Sequence, residues 1–103
     1  MTIRISDHLR SSSTRDRARK FYPMLRKLVS QADAGEIIIS FEGMEFVSPS
    51  FLDETVVALF ASNPTLAERV HVVGLQPFAA DRLQDALRRH GVRDSHVEVA
   101  AIA

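Results

Sequence analysis

The run Ile37-Ile38-Ile39-Ser40-Phe41-Glu42-Gly43-Met44-Glu45-Phe46-Val47-Ser48-Pro49-Ser50-Phe51-Leu52-Asp53-Glu54 decides how the rest of the chain is read. Its first five residues are β-branched and nearly continuously apolar, the pattern of a central strand covered on both faces. Glu42-Gly43 then turns the chain. Ser48 or Ser50 starts a helix, whose apolar positions are Phe51, Leu52, Val56, Leu59 and Phe60. Asn63-Pro64 ends that helix. A loop between a strand and the helix that follows lies at the carboxyl end of the strand. Open α/β sheets place their binding sites there.

Upstream, Thr2-Ile3-Arg4-Ile5-Ser6 alternates polar and apolar residues, which predicts a short strand. Ser13 and Thr14 are candidate helix caps, with Asp16 in the first turn. Ala18, Phe21, Tyr22, Leu25, Leu28, Val29 and Ala32 then share an arc of about 120° on a helix expected over residues 14–33. Gly35 marks its stop. Pro23 removes one backbone donor and is expected to kink the helix near residues 19–23. Downstream, Val70-His71-Val72-Val73 reads as a strand. Pro77 opens a helix over residues 77–90 with Phe78, Leu83, Ala86 and Leu87 inward, and Gly91 closes it. Val97-Glu98-Val99 is a last short strand.

The order β-α-β-α-β-α-β predicts an α/β fold: a small mixed, mostly parallel sheet with three helices. The expected core holds Phe21, Leu25, Leu28, Ile37, Ile39, Phe41, Leu52, Val56, Leu59, Val72 and Leu83. The 103 residues suit a single domain, 1–103. The helix carrying Phe51 and Leu52 is expected over residues 50–62.

With 46% hydrophobic and 25% charged residues, the composition is that of an ordinary globular domain. The absence of cysteine removes disulfides and thiolate metal sites, and a cytoplasmic setting is expected. No apolar stretch approaches the roughly 18 residues of a membrane span, and no secretory leader is recognised. His8, His71, His90 and His96 lack metal-binding spacing, and His71 is expected at the surface or partly buried. The isolated glycines form no phosphate loop, and no serine sits in a Gly-x-Ser-x-Gly elbow. Asp53 and Glu54 are adjacent, so on a helix they point about 100° apart and do not face each other as an acid/base pair. The expectation is a protein that is not an enzyme and needs no cofactor or metal.

The formal net charge is zero, but it is unevenly placed. Residues 1–30 hold eight Lys/Arg against Asp7 and Asp16, while residues 31–68 hold seven Asp/Glu and no Lys or Arg. Arg15, Arg19 and Arg26 fall within an arc of about 40° on one flank of the first helix. Such a stripe is usually a solvated flank. A nucleic-acid-associated accessory domain is the alternative, disfavoured by the balanced charge and the lack of an aromatic stacking platform.

Residues 38–54 resemble the central motif of STAS-like domains of unknown function, bacterial relatives of the anti-sigma-factor antagonists. That motif joins an apolar strand, an acidic or glycine turn and an apolar pair to a Ser-Phe-x-Asp-Glu helix start, here Ser50-Phe51-Leu52-Asp53-Glu54. An upstream Ser/Thr-Arg belongs to it, matched by Thr14-Arg15. The antagonists carry Asp-Ser-Ser-Gly at the helix start, and the first of those serines is phosphorylated by a partner kinase. Here Ser48 stands for the Asp, Pro49 for the phosphorylated Ser, Ser50 for the second Ser and Phe51 for the Gly. The family's switch is therefore not carried over at its own position.

The resemblance implies a STAS-like fold and a regulatory interaction module of bacterial signalling. Its partner is expected to be a protein, such as a histidine-kinase-like ATPase. The expected partner-binding residues are Arg15, Ser48, Ser50, Phe51, Asp53 and Glu54, with Ser50 as a possible phosphoacceptor. The bland reading of the same residues is a helix start. Ser50 and Asp53 form a capping pair, and Asp53 and Glu54 add about 0.3–1 kcal/mol each in the first turn. For Glu54 a further alternative is an ion pair with Arg15 across packed helices.

Overall fold

The computed structural model describes residues 1–9, 14–32, 35–44, 46–92 and 96–99. Ser13 and Glu45 lie outside them, as does the side chain of His96. Four strands, β1 (Thr2–Arg4), β2 (Ile37–Ser40), β3 (Val70–Leu75) and β4 (His96–Val99), form one sheet in that order. Every neighbouring pair among the described strands is parallel, in keeping with the mostly parallel sheet expected, and no antiparallel strand joins it among the described residues. Three helices make the crossovers. Helix α1 is Arg15–Ser30, and α3 is Pro77–Arg89. Between them α2 spans residues 49–62 as a regular turn Pro49–Leu52, a π-helical stretch Asp53–Val57 and a closing α-helical turn Ala58–Ser62. Short 3-10 turns follow β1 (Ile5–Asp7) and α2 (Pro64–Glu68).

Successive right-handed crossovers in a sheet of order 1-2-3-4 all pass over the same face. Accordingly α2 packs between α1 and α3 in a single helical layer. The sheet shows this in its register. Ile3, Ile39, Val72 and Val97 stand in one row, the first three buried. The neighbouring row is Thr2, Ile38 and His71, with Thr2 exposed and the other two half-buried. The expectation that β2 is covered on both faces is therefore corrected: the helices cover one. His71 Nε2 lies 3.6 Å from Glu36 Oε1 at the margin of the other face.

Of the expected core, all but Leu28 are buried, and Leu28 packs against the cluster from its edge. Each fully buried Leu, Ile or Phe contributes about 1.5–3 kcal/mol of transfer free energy. Helix α1 begins where Thr14 Oγ1 accepts from the Arg17 amide at 3.2 Å. It runs uninterrupted through Pro23, which faces solvent and leaves the Arg19 carbonyl without its usual donor. It ends at Ser30, short of the expected residue 33 and well before Gly35. Helix α3 closes as expected: Gly91 takes φ +76°, and the Val92 amide donates back to the Leu87 carbonyl at 2.9 Å.

One position in β3 ties two loops together. The strand is irregular between Val72 and Leu75, and Gly74 there has φ +83°. A Cβ at Gly74 would lie 2.6 Å from the Glu42 amide nitrogen. The turn that leaves β2 is thus pressed against the backbone that leaves β3.

Candidate functional site

The carboxyl end of β2 feeds α2 through the loop that carries Phe46 and Val47. Ser48 is the cap: its backbone is extended and its Oγ accepts from the Phe51 amide at 3.0 Å. Pro49 follows as the first helical residue, where its missing N–H costs nothing. This corrects the expected capping pair of Ser50 and Asp53, and it frees the Ser50 hydroxyl for another task.

That task involves α1. Arg15 Nη2 donates to Ser50 Oγ at 3.3 Å, and Arg15 Nη1 donates to Glu54 Oε1. Arg19, one turn further along α1, brings its Nε to 3.5 Å from Glu54 Oε2. Each carboxylate oxygen of Glu54 therefore has its own arginine. The Arg15 hydrogen bond leads in holding the Glu54 carboxyl below the usual glutamate value; partial desolvation opposes it, and Arg19 adds to the lowering. The side chains are part-exposed, 44% for Arg15 and 26% for Glu54, so the cluster is open to solvent and to a partner.

The other expected residues take distinct places. Ser48 is buried with its hydroxyl engaged in the cap. Phe51 is completely buried, so it supports the surface from beneath and does not form it. Its ring lies edge-on to Phe41 of the β2 exit and stacked on Phe21 of α1, with 6.4 Å between centroids in each case. Asp53 is exposed on the side of α2 that faces α3, away from Arg15. Phe46 stands 62% exposed in the loop before the cap.

The π-helical stretch Asp53–Val57 contains Glu54 and so overlaps the cluster. The buried Thr55 hydroxyl donates to the Phe51 carbonyl at 2.8 Å, supplying a donor inside the widened turn. Two features were not anticipated. Arg19 as the second holder of Glu54 was signalled by its place four residues after Arg15. The π stretch had no clear sequence mark. The basic stripe of α1 is divided: Arg15 and Arg19 serve Glu54, while Arg26 stacks over Tyr22 with 5.9 Å to the ring centroid.

Among the described residues no three His, Cys, Asp or Glu converge in a group that could hold a metal ion, and no helix is long and apolar enough to cross a membrane.

A parallel sheet with three crossover helices, and a loop-to-helix junction at the end of its second strand, define a STAS-like α/β domain. The family model of the STAS-like domain of unknown function (DUF4325) matches residues 17–77, which include the whole 46–54 segment, and the chain belongs to that family. No curated protein and no solved structure matches the chain.

Proposed function

We propose that this domain is a regulatory protein–protein interaction module of bacterial signalling, neither catalytic nor cofactor-dependent, which docks a protein partner over residues 46–54 and Arg15. A histidine-kinase-like ATPase is the class of partner that the family likeness suggests. The observation that carries the reading is the Arg15 guanidinium shared between Ser50 and Glu54 at a solvent-open strand end. The same 46–54 segment presents exposed Phe46 and, on the side of α2 that faces α3, exposed Asp53, which has no ion-pair partner among the described residues; they offer an apolar anchor and a charge for a partner to engage.

Ser50 is the proposed phosphoacceptor. A phosphate brings about −1.5 to −2 charges and strong acceptor oxygens. At the second residue of α2 it would sit near the positive end of the helix, next to Arg15 and within one turn of Arg19. It would then compete with Glu54 for both arginines and change the charge of the docking face. The nucleic-acid reading has less support, because Arg15 and Arg19 are both engaged by the Glu54 carboxylate, which offsets one of their two charges.

The test is a pull-down with immobilised domain and mass-spectrometric identification, comparing wild type with Ser50→Asp and Asp53→Ala. Both variants alter the face without touching the core, and thermal melts check their folding. The partner captured by wild type should be lost from both. Equal capture by two correctly folded variants removes the reading.

A further inference from the structure

The geometry points to the groove between α2 and α3 as a docking site for an amphipathic helix of a partner protein, one bearing acidic residues on the flank that meets α3. The groove lies on the opposite side of α2 from the Arg15 cluster. It rests on observations separate from that cluster, although Asp53 borders both surfaces.

Two adjoining depressions make it up. One, of about 230 Å³, has Leu52 and Leu83 in its floor. The next, of about 430 Å³, runs past Ala58 and Ala61, and Ala86 and Arg89 line both. From Pro49 to Ala61 the groove follows α2 for roughly 18 Å, the length of about three helical turns. Alanines along the floor let another backbone come close. The walls are helices whose backbone groups are bonded internally, so the groove offers no sheet edge for an extended peptide to extend. A partner there must satisfy its own backbone, and a helix does so.

Charge specifies the partner further. Arg82 and Arg89 are seven residues apart on α3, and both are exposed. Neither has a carboxylate in ion-pair range among the described residues, whereas their neighbour Arg88 is paired with Asp85 at 3.6 Å. Among the described residues Arg89 donates to the Asp85 carbonyl alone, and Arg82 lies over the ring of Phe78, 5.5 Å from its centroid. Arg82 stands mid-helix, so the dipole at the end of α3 does not account for it. Phe78, expected to point inward, is instead 68% exposed beneath the Arg82 guanidinium, an aromatic and arginine pairing typical of interface anchors. Asp53 on the opposite rim would repel nucleic-acid phosphates and would suit a basic residue on the partner's other flank.

The test uses a synthetic 18-residue helical peptide with a leucine stripe, Glu along one flank and Lys along the other, followed by fluorescence anisotropy. A same-composition scramble that destroys the stripe is the control. The striped peptide should bind, and the scramble should bind at least tenfold more weakly. The double variant Arg82→Glu/Arg89→Glu should weaken binding of the striped peptide at least tenfold. A peptide with Lys on the α3-facing flank should recover it. Ala61→Phe should block the striped peptide by filling the groove. All three positions are exposed, so circular dichroism melts should stay near wild type. Equal binding of striped and scrambled peptides, or binding indifferent to the arginine reversal, overturns the proposal. So does concentration-dependent self-association abolished by that reversal, which would make the occupant a second copy. Ser50→Asp should leave peptide binding unchanged, so failure here and failure of the proposed 46–54 surface are separate results.

Discussion

Arg15 and Glu54 are 39 residues apart in sequence and joined by a hydrogen-bonded ion pair that fastens the start of α1 to the first half of α2. Because Arg15 also reaches Ser50, the pair bridges the seam between two helices and shapes the charge of the face they present.

The Glu54 carboxyl titrates below its ordinary value, chiefly through the Arg15 hydrogen bond. A depressed folded-state pKa contributes stability that is complete above the unfolded value of about 4.3 and is lost as pH falls through the folded value. Glu54→Gln abolishes that titration. Urea midpoints of wild type and variant should differ at neutral pH and converge on acidification below about pH 4. A gap that stays constant into strong acid would contradict this account.

Ser48 and Ser50 differ in what their hydroxyls do. Ser48→Ala removes the cap and should cost about 1 kcal/mol. Ser50→Ala removes a single solvent-open contact and should stay within about 0.5 kcal/mol. Denaturant midpoints of the two proteins measure the difference directly. Equal losses would mean that the cap is shared.

Thr55 is buried with its hydroxyl on the Phe51 carbonyl. Thr55→Val keeps the shape and deletes the donor. The expected loss is about 1–2 kcal/mol, read as a fall in Tm of about 4–8 °C per kcal/mol for a domain of this size. An unchanged Tm would show that the widened turn needs no donor there.

Gly74→Ala meets two obstacles. Its φ is one that L side chains rarely adopt, and the new methyl would overlap the Glu42 amide. The expected cost is more than about 2 kcal/mol. Proton–nitrogen NMR spectra should show shifts concentrated at residues 41–44. A variant as stable as wild type, with an unmoved Glu42 amide, would exclude the close approach.

Most of the fold was legible because its punctuation is chemically unambiguous. Pro77 and Gly91 bracket α3, and Asn63-Pro64 ends α2, since proline and glycine restrict or release the backbone wherever they stand. The apolar arc of α1 found its place because burial decides it. The readings that failed did so for physical reasons. Two serines flank Pro49, and the fit of proline to the first helical position decides for Ser48. The unbroken isoleucine run suggested two covered faces, yet Ile38 is only half-buried in a row beside His71. The helix expected to continue to residue 33 ends at Ser30, whose hydroxyl turns back onto the Lys27 carbonyl, while Ala32 beyond it still packs against the core and so keeps the apolar spacing going. Within the site, the Arg15–Glu54 pair was among the alternatives open in the sequence. Phe51 stood both among the apolar positions of the helix and among the expected partner contacts, and its complete burial decides for the first.

The π-helical stretch makes α2 one residue longer than a regular helix with the same two ends. Between residues 53 and 57 the winding slips by about 100°, the angular share of one residue. The turn Pro49–Leu52 and the stretch Asp53–Val57 each pack against both α1 and α3, so the slip changes which residues meet each neighbour within a single unbroken rod. Relatives that lack the slip should align with this chain only across a one-residue gap inside 53–57. In such relatives, either the contact with α1 or the contact with α3 must be rebuilt from different residues.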